Sequence, residues 1–542
     1  MLSKRAAPAL ATLSPALVVL GLLALSACTP NASSPLIVES GVCADTSNLF
    51  PFAAPAPVAE NRVNATLYVD GASPGAADTN PGTVSQPFRT VSAAAARAVK
   101  NNLSNIGTRV LIAPAIYREQ ISLAMSQGVT PSLIVFEATV KGQAVISGAD
   151  VWREWRPEAQ ANTYSSVWPY KWGLAPYPKD WEGNVVLEPI TRRREMLFVN
   201  DVPYTQVLSK AALVANSFYV AEDEALIYIR TSPGFDLKPA TVEVSVRPIL
   251  FHAQGKTNLV LRGLSFVRGN RPVPDSSVEI LDSQNVQVED CEFRWNNWDA
   301  FQVSTSTNVT VVRSVANNNG AAGFGAYQLK EAVYSDNETS YNNWRGAQGG
   351  FYGWAVAGSK FGNLHGAVIR NHHSEHNQTR GFWLDYDNAR VLVENVNWSN
   401  NFGDGVFIEA NQGPILIRNS TFSNNKNGSG ISGASSSDIT LAQNIISGNE
   451  LAQIQITGDF DRQVTNWETN VTYTLRAERW MLTCNAIANT DKAQALIETP
   501  NWAHFLNSVQ SQKDVWFTAT NPFPFRIGNA KFSYSDWKGV TK

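Results

Sequence analysis

Val391-Leu-Val-Glu-Asn-Val-Asn-Trp-Ser-Asn-Asn401, Ile415-Leu-Ile-Arg-Asn-Ser-Thr-Phe-Ser-Asn-Asn425 and Ile439-Thr-Leu-Ala-Gln-Asn-Ile-Ile-Ser-Gly-Asn449 begin 24 residues apart. Inside each, Val391/Val393 and Ile415/Ile417 alternate with their neighbours, the period of a short strand with one buried face. The next apolar position holds Trp398, Phe422 and Ile446 in turn, which predicts a stacked interior column. Asparagine tolerates left-handed backbone and bonds free amides nearby, so the recurring Asn positions predict turns. Ala367 to Asn377 keeps the 24-residue register, and Asn343, Asn319 and Asn296 continue it at gaps of 34, 24 and 23 residues. One such unit cannot bury its apolar face alone, whereas stacked units build a continuous core. The expected fold is all-β: a right-handed parallel β-helix.

Outward from the repeat, the 542 residues divide into six expected regions. Residues 1–27 read as a lipoprotein signal peptide: Lys4 and Arg5 precede an apolar run from about Pro8 to Leu25, which ends in Ser26-Ala27-Cys28. Small residues before that cysteine form a lipobox, so Cys28 is the expected lipidation site. Residues 28–61, rich in Ala, Pro, Ser and Asn, read as a flexible tether. Residues 62–149 hold an N-terminal cap and the first coils; Thr90 is placed to N-cap an Ala-rich helix that closes the open solenoid end. Residues 150–248 interrupt the repeat with short strands and five tryptophans, as a small inserted β-sandwich would. Residues 249–460 form the main β-helix, and 461–542 the C-terminal coils and cap.

The 24-residue frame places Asp385 of Phe382-Trp-Leu-Asp385 and Glu409 of Val406-Phe-Ile-Glu409 at one position on successive coils. Neighbouring strands lie about 4.8 Å apart. Two carboxyl groups about 5–5.5 Å apart are the geometry of a retaining glycosidase. Spacing alone leaves two blander readings open, calcium binding by stacked acids and solvated turn residues. Trp383 and Phe407 flank the acids with rings suited to a sugar. The long 34-residue interval adds a loop beside them holding Trp344, Arg345 and Trp354, and loops of this kind map to one face of a solenoid. Lys360, 25 residues before Asp385, is expected to stack beneath it. Arg380 is a further candidate for substrate contact.

The Pro81-Gly-Thr83 opening, Arg193-Arg-Glu-Met-Leu-Phe-Val-Asn200 in the insert, and the Trp-Leu-Asp385 and Phe-Ile-Glu409 segments resemble the bacterial β-xylosidase family whose right-handed β-helix carries an immunoglobulin-like insert. The resemblance spans roughly residues 65 to 540. It implies that Asp385 is the nucleophile and Glu409 the acid/base; for that chemistry no cofactor is expected, Ca2+ entering only with the lyase alternative.

Two other functions fit the same fold. A polysaccharide lyase would take Lys360 as base and neutralise a uronate with Arg380 or with Ca2+ on Asp385, Asp387 and Glu409. A non-catalytic glycan-binding surface protein would use the tryptophans alone. A net charge of −3 argues against nucleic acid as a partner. The expected partners are a carbohydrate and, through the lipid on Cys28, a membrane of the bacterial envelope. His365, His372, His373 and His376 show no metal-ligand spacing, so no metal site is expected. Four cysteines make no disulfide framework, and a Cys43–Cys484 bridge stays open.

Overall fold

The computed structural model describes residues 36–39, 41–46, 57–123, 132–458, 461–518 and 521–541. The expected signal peptide and Cys28 lie outside them.

The repeats stack as a parallel solenoid. Val391 pairs in register with Ile415, Ile415 with Ile439, and Ile439 with Trp480, so each apolar position meets its counterpart one coil on. The long parallel face joins 23 strands among the described residues, and shorter parallel sheets form another face. Between the faces runs the core, with Trp398, Phe422 and Ile446 fully buried. The ring of Phe382 stacks on Trp398 at 4.2 Å.

One asparagine column runs up the turns through Asn296, Asn319, Asn342, Asn377, Asn401, Asn425 and Asn449. The backbone N–H of each of the first six donates to the side-chain carbonyl of the next, at 2.9–3.1 Å. The residues just before them, from Trp295 through Asn318, Tyr341, His376 and Asn400 to Asn424, take the left-handed conformation that turns the chain. The expected register slips by one at the loop insertion: Asn342, not Asn343, is the ladder member. Asn343 turns left-handed and leads into the short helix Trp344–Gln348.

The N-terminal end is closed by the helix Val91–Leu103, whose first turn is capped by Thr90 accepting from the Ala93 N–H. Its Val91, Ala94, Ala95 and Ala98 face is buried on the first coils. From Ala149 to Ser245 an eight-stranded, mostly antiparallel sheet system interrupts the solenoid. Its core gathers Trp168, Leu197, Phe218, Ile227, Ile229 and Val244.

Part of the stretch read as tether is held down. Leu36–Val38 pairs antiparallel with Val515–Phe517, Glu39 is buried there, and Cys43 is joined to Cys484 by a disulfide. A strand edge offering unpaired amides at the last coil supplies the partner that composition alone does not reveal.

Candidate active site

The strand Arg380–Asp385 lies between the strands Ala357–Arg370 and Val406–Glu409, parallel to both. Alternation sends Phe382 and Leu384 into the core and leaves Trp383 and Asp385 on the outer face. Register then sets Trp383 beside Phe407 and Asp385 beside Glu409. The two acids therefore rise from adjacent backbones about 4.8 Å apart.

Each acid has a cation. The Lys360 ammonium lies 2.9 Å from Asp385 Oδ2 and 4.2 Å from the centre of the Trp383 ring. It arrives diagonally: Gly362 is the register partner of Asp385, and Lys360 pairs with Trp383. The expectation that Lys360 stacks directly beneath the acid is thereby corrected, since two residues of strand separate them and the long side chain makes up the distance. A Cβ on Gly362 would come 2.9 Å from the Asp385 carbonyl oxygen, too close for any side chain. Arg462 Nη1 lies 2.5 Å from Glu409 Oε1.

Arg380 stays in the cleft wall. Its guanidinium donates to Asp404 Oδ2 and the Gly353 carbonyl and covers both Trp383 and Phe407, at 4.8 and 4.7 Å from the ring centres. It holds the two rings, which lie 5.4 Å apart, as one platform. Opposite, Trp354 is 46% exposed. Together with Trp181 from the insert it lines a cavity of about 470 Å³ that also takes in Arg380, Trp383, Asp385 and Glu409. A second cavity of about 410 Å³ continues past Asp385 to Asp299, Gln302 and Tyr327, sharing Lys360, Asp385 and Arg462 with the first. The acids thus stand within one elongated cleft.

Trp344 and Arg345 are not in it. They line a separate pocket against the insert with Phe198, Tyr204 and Trp295. Arg345 is fully buried and donates to Asn297, to Gln206 and to the Glu195 carbonyl oxygen. Burial pushes its pKa down to about 9, with Glu195 offsetting part of the effect. The expected substrate contact by these two residues is corrected: the loop turns its first turn of helix toward the inserted domain and sends only its later part, around Trp354, toward the acids.

Sequence reasoning missed Arg462, Asp299 and Trp181. Arg462 opens a hairpin, Arg462–Thr465 with Thr472–Leu475, lodged between successive coils. Its tip is fastened to the solenoid. Thr465 N–H donates to the Tyr386 hydroxyl, while Trp467 N–H and the Tyr473 hydroxyl donate to Asp387. His365 sits between Asp387 and Glu468, with Nδ1 2.5 Å from Glu468 Oε1 and Nε2 3.3 Å from Asp387 Oδ2. Burial opposes its charge, yet the hydrogen bonds to Asp387 and Glu468 outweigh burial and raise the imidazole pKa. A signal for this hairpin exists: the turn residues Asn444 and Asn485 bond as neighbours across 41 residues, 17 more than the common repeat. Asp299 and Trp181 leave no such mark. Among the described residues no group of three or more His, Cys, Asp or Glu is arranged to hold a metal.

The sequence profile described as the right-handed beta helix region matches residues 276–466. Two solved structures share the fold. One is a complex of XylC with xylose, with a TM-score of 0.61 at 14% identity over 79% of this chain and 76% of that one. The other is the A-module of the Azotobacter vinelandii mannuronan C-5 epimerase AlgE4, with a TM-score of 0.50 at 14% identity over 85% of this chain and 98% of that one. No curated protein matches the sequence. The fold is a right-handed parallel β-helix.

Proposed function

We propose that this chain is a retaining glycoside hydrolase, β-xylosidase-like, acting on plant or microbial oligosaccharide or polysaccharide. The observation that carries the reading is the register of Asp385 with Glu409 on adjacent outer-face strands of an aromatic-walled cleft. In this reading Asp385 attacks the anomeric carbon as the glycosidic bond breaks. The departing oxygen keeps the bonding electrons and takes a proton from Glu409. Glu409 then removes a proton from water, whose oxygen displaces Asp385 and frees the sugar. With Trp383 and Phe407 covered by Arg380, the exposed Trp354 of the same cavity offers the apolar ring to the apolar face of a pyranose.

Charge balance favours a neutral sugar over a uronate. Lys360 and Arg380 are already matched by Asp385 and Asp404, and Arg462 lies against Glu409, which carries the proton before it acts. A lyase or epimerase needs surplus positive charge to neutralise a carboxylate on its substrate, and Lys360 and Arg380 have none to spare. XylC, with xylose bound, shares the fold and makes pentosides the first substrates to try.

The lipobox reading of Cys28 adds a place: an exported enzyme anchored to the bacterial envelope by lipid. No helix among the described residues is long and apolar enough to cross a membrane.

The test is Glu409→Gln, together with Asp385→Asn, assayed on a panel of 4-nitrophenyl glycosides led by the β-D-xyloside. Removing a positioned acid/base lowers turnover by about 10²–10⁴-fold. Azide, which needs no general base, is expected to restore glycosyl transfer in a Glu409→Ala protein. Undiminished turnover in either acid variant rejects the assignment.

A further inference from the structure

The cavity that continues past Asp385 ends at a carboxyl group to which the mechanism above assigns no work. We propose that this half of the cleft is a saccharide subsite gripping the glycone, with the Asp299 carboxyl hydrogen-bonding one of its hydroxyl groups. The inference rests on the glycosidase reading and adds to it the residue that senses the sugar.

Asp299 opens the strand Asp299–Val312, three coils before the strand of Asp385. Its Oδ1 accepts the Ala322 N–H at 2.8 Å, which fixes the carboxyl plane. Among the described residues no cation lies within ion-pair distance of Asp299, in contrast to Asp385, Glu409 and Asp404. The side chain lines the same cavity as Gln302, Tyr327, Lys360 and Asp385. Small residues make the room: Ala322, Gly325, Ala326 and Gly362 form part of the lining. At Gly325 a Cβ would already touch the Gln302 side chain, at 3.4 Å. By comparison, a cavity of roughly 150 Å³ admits benzene, so about 410 Å³ takes a pyranose with its hydroxyl groups and water.

The electrostatics suit a donor. Burial raises the Asp299 pKa to about 7, against the lowering effects of the Ala322 hydrogen bond and of Lys360. Asp275, itself paired with Arg271 at 3.2 Å, adds to the rise. Below neutrality the carboxyl therefore keeps its proton and can donate to a sugar oxygen. Above neutrality it is an anion that can only accept, in a cleft already holding Asp385. Placement also fits the assigned roles. Glu409 lines only the aromatic half of the cleft, where a leaving group would take its proton, while Asp385 borders both halves. The glycone then lies on the Asp299 side.

The experiment measures binding rather than turnover, so that it is separate from the glycosidase reading. Methyl β-D-xyloside is titrated calorimetrically into Glu409→Gln protein between pH 5.5 and 8.5, with and without Asp299→Asn or Asp299→Ala. Asn keeps the carbonyl that accepts the Ala322 N–H and does not titrate, so it guards against misfolding. We expect affinity in the Glu409→Gln background to fall several-fold on passing pH 7. The added Asn change should remove that pH dependence, and the Ala change should weaken binding about tenfold at pH 5.5, a loss of about one hydrogen bond. Equal affinities and pH profiles with and without the Asp299 changes overturn the proposal, as does failure of the sugar to bind at any pH. Sugar binding with the expected pH dependence, but no turnover of any glycoside by the unmodified chain, leaves this subsite standing and removes the hydrolase reading.

Discussion

Arg462, from a hairpin outside the repeating frame, places its guanidinium 2.5 Å from the carboxylate of Glu409. The hairpin itself is fastened through Tyr386 and Asp387, the two residues that follow Asp385 in sequence. A single strap therefore spans both strands that carry the candidate catalytic acids. In the proposed mechanism Glu409 must hand over and recover a proton at one fixed oxygen, and the planar guanidinium fork, with Nη1 on Oε1, holds the carboxyl so that its other oxygen carries that proton.

Arg462→Ala is expected to lower kcat on the best glycoside by about 10–100-fold, the scale on which misplacing a reacting group acts. Arg462→Lys should recover part of the loss, since it restores charge without the fork. Steady-state kinetics, with circular dichroism to verify folding, decides the matter. Kinetics unchanged by the Ala substitution would make the strap purely structural.

Arg345→Met should behave in the opposite way. It leaves buried oxygens of Asn297, Gln206 and Glu195 without their donor, at a cost of about 2–4 kcal/mol. Thermal or urea unfolding reads the loss. Because Arg345 lies outside the cleft, kcat of the folded fraction should stay within twofold of the unmodified chain.

The strap should loosen as pH rises. His365 has a raised folded pKa, so its stabilising contribution is complete below the unfolded value of about 6.5 and is lost as pH climbs through the higher folded value. Asp387 and Glu468 are held below their usual range, burial notwithstanding, by bonds that include His365. Their contribution is present above the ordinary carboxylate pKa and fades only as pH falls through the lowered values. Amide exchange across residues 462–475, corrected for intrinsic rates, should therefore accelerate at alkaline pH. In a His365→Gln protein the exchange should be faster already at pH 6 and flat with pH.

Asn401→Ala breaks the turn ladder in the middle. The Asn377 backbone N–H and the Ser374 carbonyl lose a partner in a buried place, while the Asn377 side-chain amide keeps its bonds to Thr339 and Ser374. The expected destabilisation is about 2–4 kcal/mol, measured by chemical denaturation, with Asn401→Ser expected to lose less than Ala. A loss below 0.5 kcal/mol, roughly the scale of a surface change, would deny the ladder its structural weight.

Much of this architecture is legible without coordinates because a solenoid is written locally. Val391, Ile415 and Ile439 repeat at one interval, and each strand packs only on the next, so interval and alternation together imply both fold and facing. The same logic reaches Asp385 and Glu409. It fails at insertions, where counting no longer tracks space. Asn342 replaced Asn343 in the ladder, Lys360 came in diagonally, and Trp344 and Arg345 turned toward the inserted domain.

By itself, then, the order of residues determined the periodic part: strands, core columns, turn asparagines and the one-coil offset of two acids. Tertiary structure alone brought Arg462 and Trp181 to those acids. They come from the hairpin and the insert, 53 and 228 residues away from Glu409. The physical reason is that repetition fixes neighbours one coil apart through backbone hydrogen bonding. A loop or inserted domain finds its place through side-chain contacts that leave no period in the chain.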